Sequence, residues 1–211
     1  DREGYRGLLE AQGSRGSTSD FGYSRFDAMV KAYPNCALTW MGRSQARLKL
    51  DHVDGARTDL ERAVELAPDN PEIQAAYGLI SLKAGRVAEA VKWLGQAQLS
   101  RPRDVSVVVA LGRAQVQLGE VETGISTLQA GYAKFPYEPR ISLAYAEVLA
   151  NKGEVLAAYE TLREAFRRRP DGRLLVSLIA ATRDVGRFTE AADMLEKLGK
   201  QTGSQVLLEE A

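Results

Sequence analysis

Apolar and small residues along this chain recur with helical spacing, and the stretches come in pairs separated by short polar turns. Counting positions from the start of each segment, 71–104 has Tyr77 and Gly78 at 7 and 8, Gly85 in a turn, then Ala90, Leu94 and Ala97 at 20, 24 and 27. The same register returns in 105–138 as Leu111, Gly112, Gly119, Gly124, Leu128 and Gly131, and in 139–171 as Tyr145, Ala146, Gly153, Ala158, Leu162 and Ala165. From 172 it continues as Leu178, Ile179, Gly186, Ala191, Leu195 and Leu198. Spacings of three and four residues place each set on one helix face, so each segment predicts two amphipathic helices around a tight turn. In 37–70 the first stripe is Trp40, Arg43, Ser44 and Arg47, the second is Ala56, Leu60 and Ala63, and 51–54 is the turn.

Prolines mark the period. Pro34, Pro68, Pro102, Pro136 and Pro170 follow one another at intervals of 34 residues. Each lies just past a second helix, where it stops the helix without removing an internal hydrogen bond. Pro71 and Pro139 open the next first helix, where a missing N–H is harmless. Gly85, Gly119, Gly153 and Gly186 stand where the first helix must end in a left-handed turn. A fixed period of this length predicts repeats at 37–70, 71–104, 105–138, 139–171 and 172–203 that stack on their neighbours rather than close one core. Upstream, 1–36 reads as a degenerate repeat. Tyr5, Leu8, Leu9 and Gln12 have the spacing of a first helix, Phe26, Met29 and Pro34 fit the second, and 13–20 is a flexible connector. Residues 204–211 read as the start of a capping helix with Ser204 as N-cap.

The pattern of a large residue, a Leu-Gly pair, Tyr, a small residue, Leu, Ala and Pro resembles the tetratricopeptide repeat (TPR) from Ala37 to about Gly203. The resemblance implies an all-α, right-handed superhelical solenoid of antiparallel helix pairs. Departures concentrate in 37–70: Arg43 and Arg47 replace apolar residues, which predicts exposure or an unusual neighbour, and Asp51 replaces the turn glycine. In that family, first-helix positions 2, 5, 9, 12 and 13 line a concave groove. Carried over, they imply a largely apolar, peptide-binding ribbon of Met41, Gln45, Leu48, Leu79, Leu82, Val109, Arg113, Val116, Leu143 and Glu147. The donor set with which co-chaperones of the family hold a terminal carboxylate is missing: the matching positions are Met41, Gln45, Ala76, Ser106 and Ala110. Trp93, at position 23 of a second helix, is read either as a contact for another subunit or as packing across a repeat junction.

Composition narrows the function classes. Lys+Arg 28 balances Asp+Glu 28, so the basic excess of a general nucleic-acid binder is absent. The apolar fraction of 45% forms no run near the roughly 18 residues of a membrane span. One cysteine, Cys36, excludes an internal disulfide framework and a thiolate metal cluster. The lone His52 lies in a turn, one helix away from Cys36, too far for a Cys/His pair. No phosphate loop or metal spacing is present, and Glu120 with Glu122 reads as a solvated turn. No catalytic residue, metal or cofactor is therefore expected, and the chain reads as non-enzymatic. Arg167–Arg169, with Arg163 and Arg173, is the one dense basic run; it either attracts an acidic partner or complements a helix C-terminus.

The resulting expectation is an interaction scaffold for a protein or peptide partner. A narrower form is a bacterial assembly lipoprotein of pilus or secretion systems, pilotin-like or of the tight-adherence type, in the periplasm or tethered to the outer membrane. It rests on the apolar groove and on a start at Asp1 rather than methionine, which leaves room for a leader or lipid anchor upstream. Self-association through the ends or the outer face is the structural alternative.

Overall fold

The computed structural model of the chain describes residues 19–202, and these form eleven helices with no strand among them. α1 is Ser19–Ala32, followed by the pairs α2 (Ala37–Lys49) and α3 (Val53–Leu66), α4 (Pro71–Lys83) and α5 (Val87–Ser100), and α6 (Val105–Gln117) and α7 (Val121–Lys134). The last pairs are α8 (Pro139–Asn151) with α9 (Val155–Arg168) and α10 (Gly172–Asp184) with α11 (Phe188–Thr202). The helix expected around Tyr5 to Gln12 and the capping helix from 204 lie outside the described residues. Ser19 and Asp20, assigned above to the connector, are helical and begin α1.

Four first helices start on a side-chain cap. Asn70 accepts from the N–H groups of Glu72 and Ile73, Asp104 from Ser106 and Val107, Asp171 from Arg173 and Leu174, and Glu138 from Arg140. Each cap satisfies amides that a helix start leaves without an intrahelical partner. At the inner turns the backbone turns left-handed: Gly85 has φ 75° and Gly186 φ 77°. Asp51 takes the same turn at φ 60° with a side chain present. Asp51→Gly removes the steric cost at the loss of an exposed pair with Lys83, so it should raise the urea midpoint, by about 0.5–1 kcal/mol of stability.

The chain divides into two compact units at Leu118 and Gly119. In the first, α1 to α6 pack in sequence, and the first helix α4 also touches the first helices α2 and α6 on either side. The core is built where small residues let helices close up. A Cβ on Gly78 would stand 2.7 Å from Leu94 Cγ and 3.1 Å from its backbone nitrogen, so α4 and α5 meet at van der Waals distance only because residue 78 has no side chain. One on Gly42 would lie 2.4 Å from Phe26 Cε1, and this is how α1 seats on α2. In the second unit, Leu149, Leu162, Leu174 and Leu178 bury against Tyr159. The Tyr159 hydroxyl lies 3.3 Å from Glu190 and 3.1 Å from the Arg187 guanidinium, which ties α9 to the start of α11.

Positions 7 and 23 meet within a repeat, and their chemistry differs from one repeat to the next. In 37–70 they are Arg43 and Asp59. Asp59 is 1% exposed and receives Arg43 through Nε at 3.0 Å and Nη2 at 2.6 Å, with Arg47 at 2.9 Å. Arg43 also reaches Asp27 of α1 at 2.7 Å. The two arginines in apolar places thus have an unusual neighbour rather than solvent. In 71–104 the pair is Tyr77 and Trp93, rings edge to face at 5.5 Å. Trp93 joins a buried cluster that includes Leu60 and Ala63 of the preceding repeat, which is the junction-packing alternative.

Candidate functional site

The first helices α2, α4 and α6 of the first unit make one face. Residues at positions 9 and 12 are three apart and share a helix side, so these helices contribute Gln45 and Leu48, Leu79 and Leu82, and Arg113 and Val116. Leu79 is 42% exposed at the middle of the face, with exposed Gln45 and Arg113 in the flanking helices. Leu48, Leu82 and Val116 are half-buried beneath, two of them anchored on the two core clusters of this unit. Position 13 adds a polar edge of Lys49, Lys83 and Gln117, all exposed; Lys83 pairs with Asp51 at 2.8 Å.

Two members of the expected ribbon are sealed. Met41 is 6% exposed and Val109 8%. Both stand at position 5, as does the buried Ala75, and that position falls in the seam where α2, α4 and α6 lie side by side. The open strip is therefore narrower than the family positions imply. Leu143 and Glu147 belong to α8 in the second unit, where Leu143 is half-buried against the core and Glu147 is exposed.

The other candidate groups have local roles. His52 is exposed at the start of α3, and Cys36 is buried at the start of α2. Glu122 pairs with Lys152 at 2.8 Å. In the arginine run, Arg163 meets Glu160, Arg168 meets Glu164 at 2.9 Å, Arg169 donates to the Tyr137 carbonyl at 3.1 Å, and Arg173 meets Asp171. Tyr77 is pushed up to about 12 by burial and by its hydrogen bond to Glu89, so it stays a neutral donor. Among the described residues no group of three or more His, Cys, Asp or Glu is placed to hold a metal ion, and no helix is long and apolar enough to cross a membrane. The carboxylates that hold Arg43 escaped the sequence reading; the one signal available was the pair of arginines at apolar positions.

A family model described as tetratricopeptide repeat matches residues 30–170. Among solved structures, PilW, a type IV pilus biogenesis factor, superimposes with a TM-score of 0.84 at 18% identity, over 99% of this chain and 98% of PilW. The pilF protein of Pseudomonas aeruginosa gives a TM-score of 0.77 at 16% identity, over 100% of this chain and 96% of pilF. By sequence the chain is 24% identical over 162 residues to mouse (Mus musculus) interferon-induced protein with tetratricopeptide repeats 3, covering 75% of this chain and 39% of that protein. It spans well under half the length of the curated relatives it matches. With the repeat register, the helix pairs and the match over 30–170 in agreement, the chain belongs to the tetratricopeptide repeat family.

Proposed function

We propose that this chain is a protein-binding scaffold without catalytic function, and that the face of α2, α4 and α6 takes an amphipathic helix or extended segment of a partner. Leu79 carries the reading: a leucine 42% exposed at the centre of a face, above half-buried Leu48, Leu82 and Val116, adds little to the core and much to an apolar contact. Lys49, Lys83, Arg113 and Gln117 give it a polar border, with Lys83 held by Asp51. Leu143 and Glu147 offer a smaller contact of the same kind in the second unit.

Leu79→Glu is the test, because the side chain is exposed and its replacement should leave the melting temperature nearly unchanged. Partners captured from the source cell by the wild-type chain should bind the variant at least ~30-fold more weakly, the loss of a hot spot of about 2 kcal/mol. Equal capture by both proteins removes the face as the binding surface. Val109→Glu serves instead as a folding control, since Val109 is sealed.

A narrower reading is favoured by the likeness to PilW over nearly the whole of both chains. On it, the chain is a bacterial pilus or secretin assembly lipoprotein, pilotin-like or of the tight-adherence type, held at the envelope by an anchor upstream of Asp1. Deleting the gene in its source organism should then abolish surface pili seen by electron microscopy. Normal piliation would exclude it.

A further inference from the structure

We propose that the second unit carries a separate protein-binding site, a tyrosine-lined cleft that takes a proline-rich segment of a partner in the polyproline II conformation. The cleft, about 650 Å³ and open to solvent, lies over the turn between α7 and α8 and is bordered by Thr161 and Arg168 of α9. Tyr132 and Tyr145 form one wall, their ring centroids 5.8 Å apart and the planes 34° from one another. Tyr137, in the turn, stands 64% exposed at the rim. Such a volume is in the range of ligand sites, about 300–1,000 Å³.

The repeat architecture does not require these rings. The three positions are Val64, Asp69 and Tyr77 at one junction of the chain, Gln98, Arg103 and Leu111 at the next, and Phe166, Asp171 and Leu178 at another. Among the described residues three tyrosines converge only here. The opening also has a local cause. Tyr145 and Thr161 hold positions 7 and 23 of their repeat, and at the same positions in 71–104 Trp93 packs edge-on against Tyr77 and fills the space. A threonine is too short to do so.

The lining selects the ligand. Among the described residues none of the three phenol hydroxyls has a protein hydrogen-bond partner, and burial holds Tyr132 and Tyr145 above the ordinary phenol range, so both remain donors at neutral pH. A cationic ligand of the kind aromatic cages hold finds the Tyr132 ring already taken, with the Arg168 guanidinium over it at 6.0 Å from the centroid. An anion gains little, because Glu164 neutralises that arginine at 2.9 Å. What fits is a neutral ligand with apolar faces for the rings and carbonyls for the donors. A polyproline II segment presents both: it makes no internal hydrogen bonds, leaving its carbonyls available, and is already ordered before binding.

Titrating the full chain with a decaproline peptide, and with a glycine-serine peptide of equal length, tests this by calorimetry. Decaproline should bind saturably and the glycine-serine peptide should not. Tyr137→Ser, a surface change, should weaken decaproline at least ~10-fold, in line with loss of an aromatic anchor. Thr161→Trp, which refills the cleft with the side chain that 71–104 accommodates, should do the same; if that variant misfolds by circular dichroism, Tyr137→Ser decides alone. Leu79→Glu should leave decaproline binding unchanged, which separates this site from the face in the first unit. No decaproline binding, equal binding of the two peptides, full affinity in Tyr137→Ser, or tighter binding of tetramethylammonium than of decaproline would each overturn the proposal.

Discussion

Asp59→Ala is expected to cost about 3–5 kcal/mol, because it leaves the Arg43 and Arg47 guanidinium groups without the carboxylate they share in the interior. Asp59 is 1% exposed, so water does not replace it. A urea titration followed by helical circular dichroism would read the loss as a lower midpoint. The expected cure is informative: adding both Arg43→Met and Arg47→Met to Asp59→Ala should recover part of the stability, since the penalty comes from stranded charge and not from lost volume. It should not recover the attachment of α1, which Arg43 also holds through Asp27. Hydrogen exchange over 19–32 should therefore stay fast in the triple variant. Acid should loosen the same helix in the wild type. Lys31, and after it Arg43, hold the Asp27 carboxyl below its ordinary value of 3.8. A depressed carboxylate contributes fully above that ordinary value and fades as pH falls through its folded one, so protection of α1 should hold from pH 7 to about 4 and drop below it.

Leu94→Ala should cost about 2–5 kcal/mol, the price of emptying a fully buried leucine site between α4 and α5. Gly78→Ala acts on the same contact from the other side. Helix propensity alone would favour alanine by about 1 kcal/mol, but its Cβ would stand 2.7 Å from Leu94 Cγ and 3.1 Å from a backbone nitrogen that cannot step aside. A net loss of about 1–3 kcal/mol is expected. In the Leu94→Ala background the new methyl no longer meets the leucine Cγ, and only the backbone nitrogen at 3.1 Å still opposes it. The double variant should then be more stable than the sum of the singles by about 1 kcal/mol. Strict additivity would show that the Leu94 side chain is not what opposes the methyl.

Legibility in the sequence followed how local each cause is. A proline past a second helix, a glycine in a left-handed turn and a stripe at spacings of three and four act within a few residues, so the helix pairs could be read directly. What stayed hidden depends on distance in space. Nothing near Arg43 in sequence names Asp59, sixteen residues on and in another helix. Spacing places Met41 and Val109 on the same helix side as Leu48 and Val116, yet it cannot say how deep each lies. Depth is set by the neighbouring first helix, which covers position 5 and leaves position 9 open. The tyrosine cleft shows the same limit: its rings are visible as letters, but its opening arises because Thr161 fails to fill what Trp93 fills elsewhere.

The pairing of positions 7 and 23 has a bearing on how the chain finds its register. Near-identical helical hairpins in tandem invite misassembly, in which one segment docks where its homologue belongs. Here such a slip within the first unit would set Arg43 against the indole of Trp93 and strand Asp59 beside the Tyr77 ring, losing a charge pair and a ring contact together. These two hairpins thus bear different keys, one ionic and one aromatic.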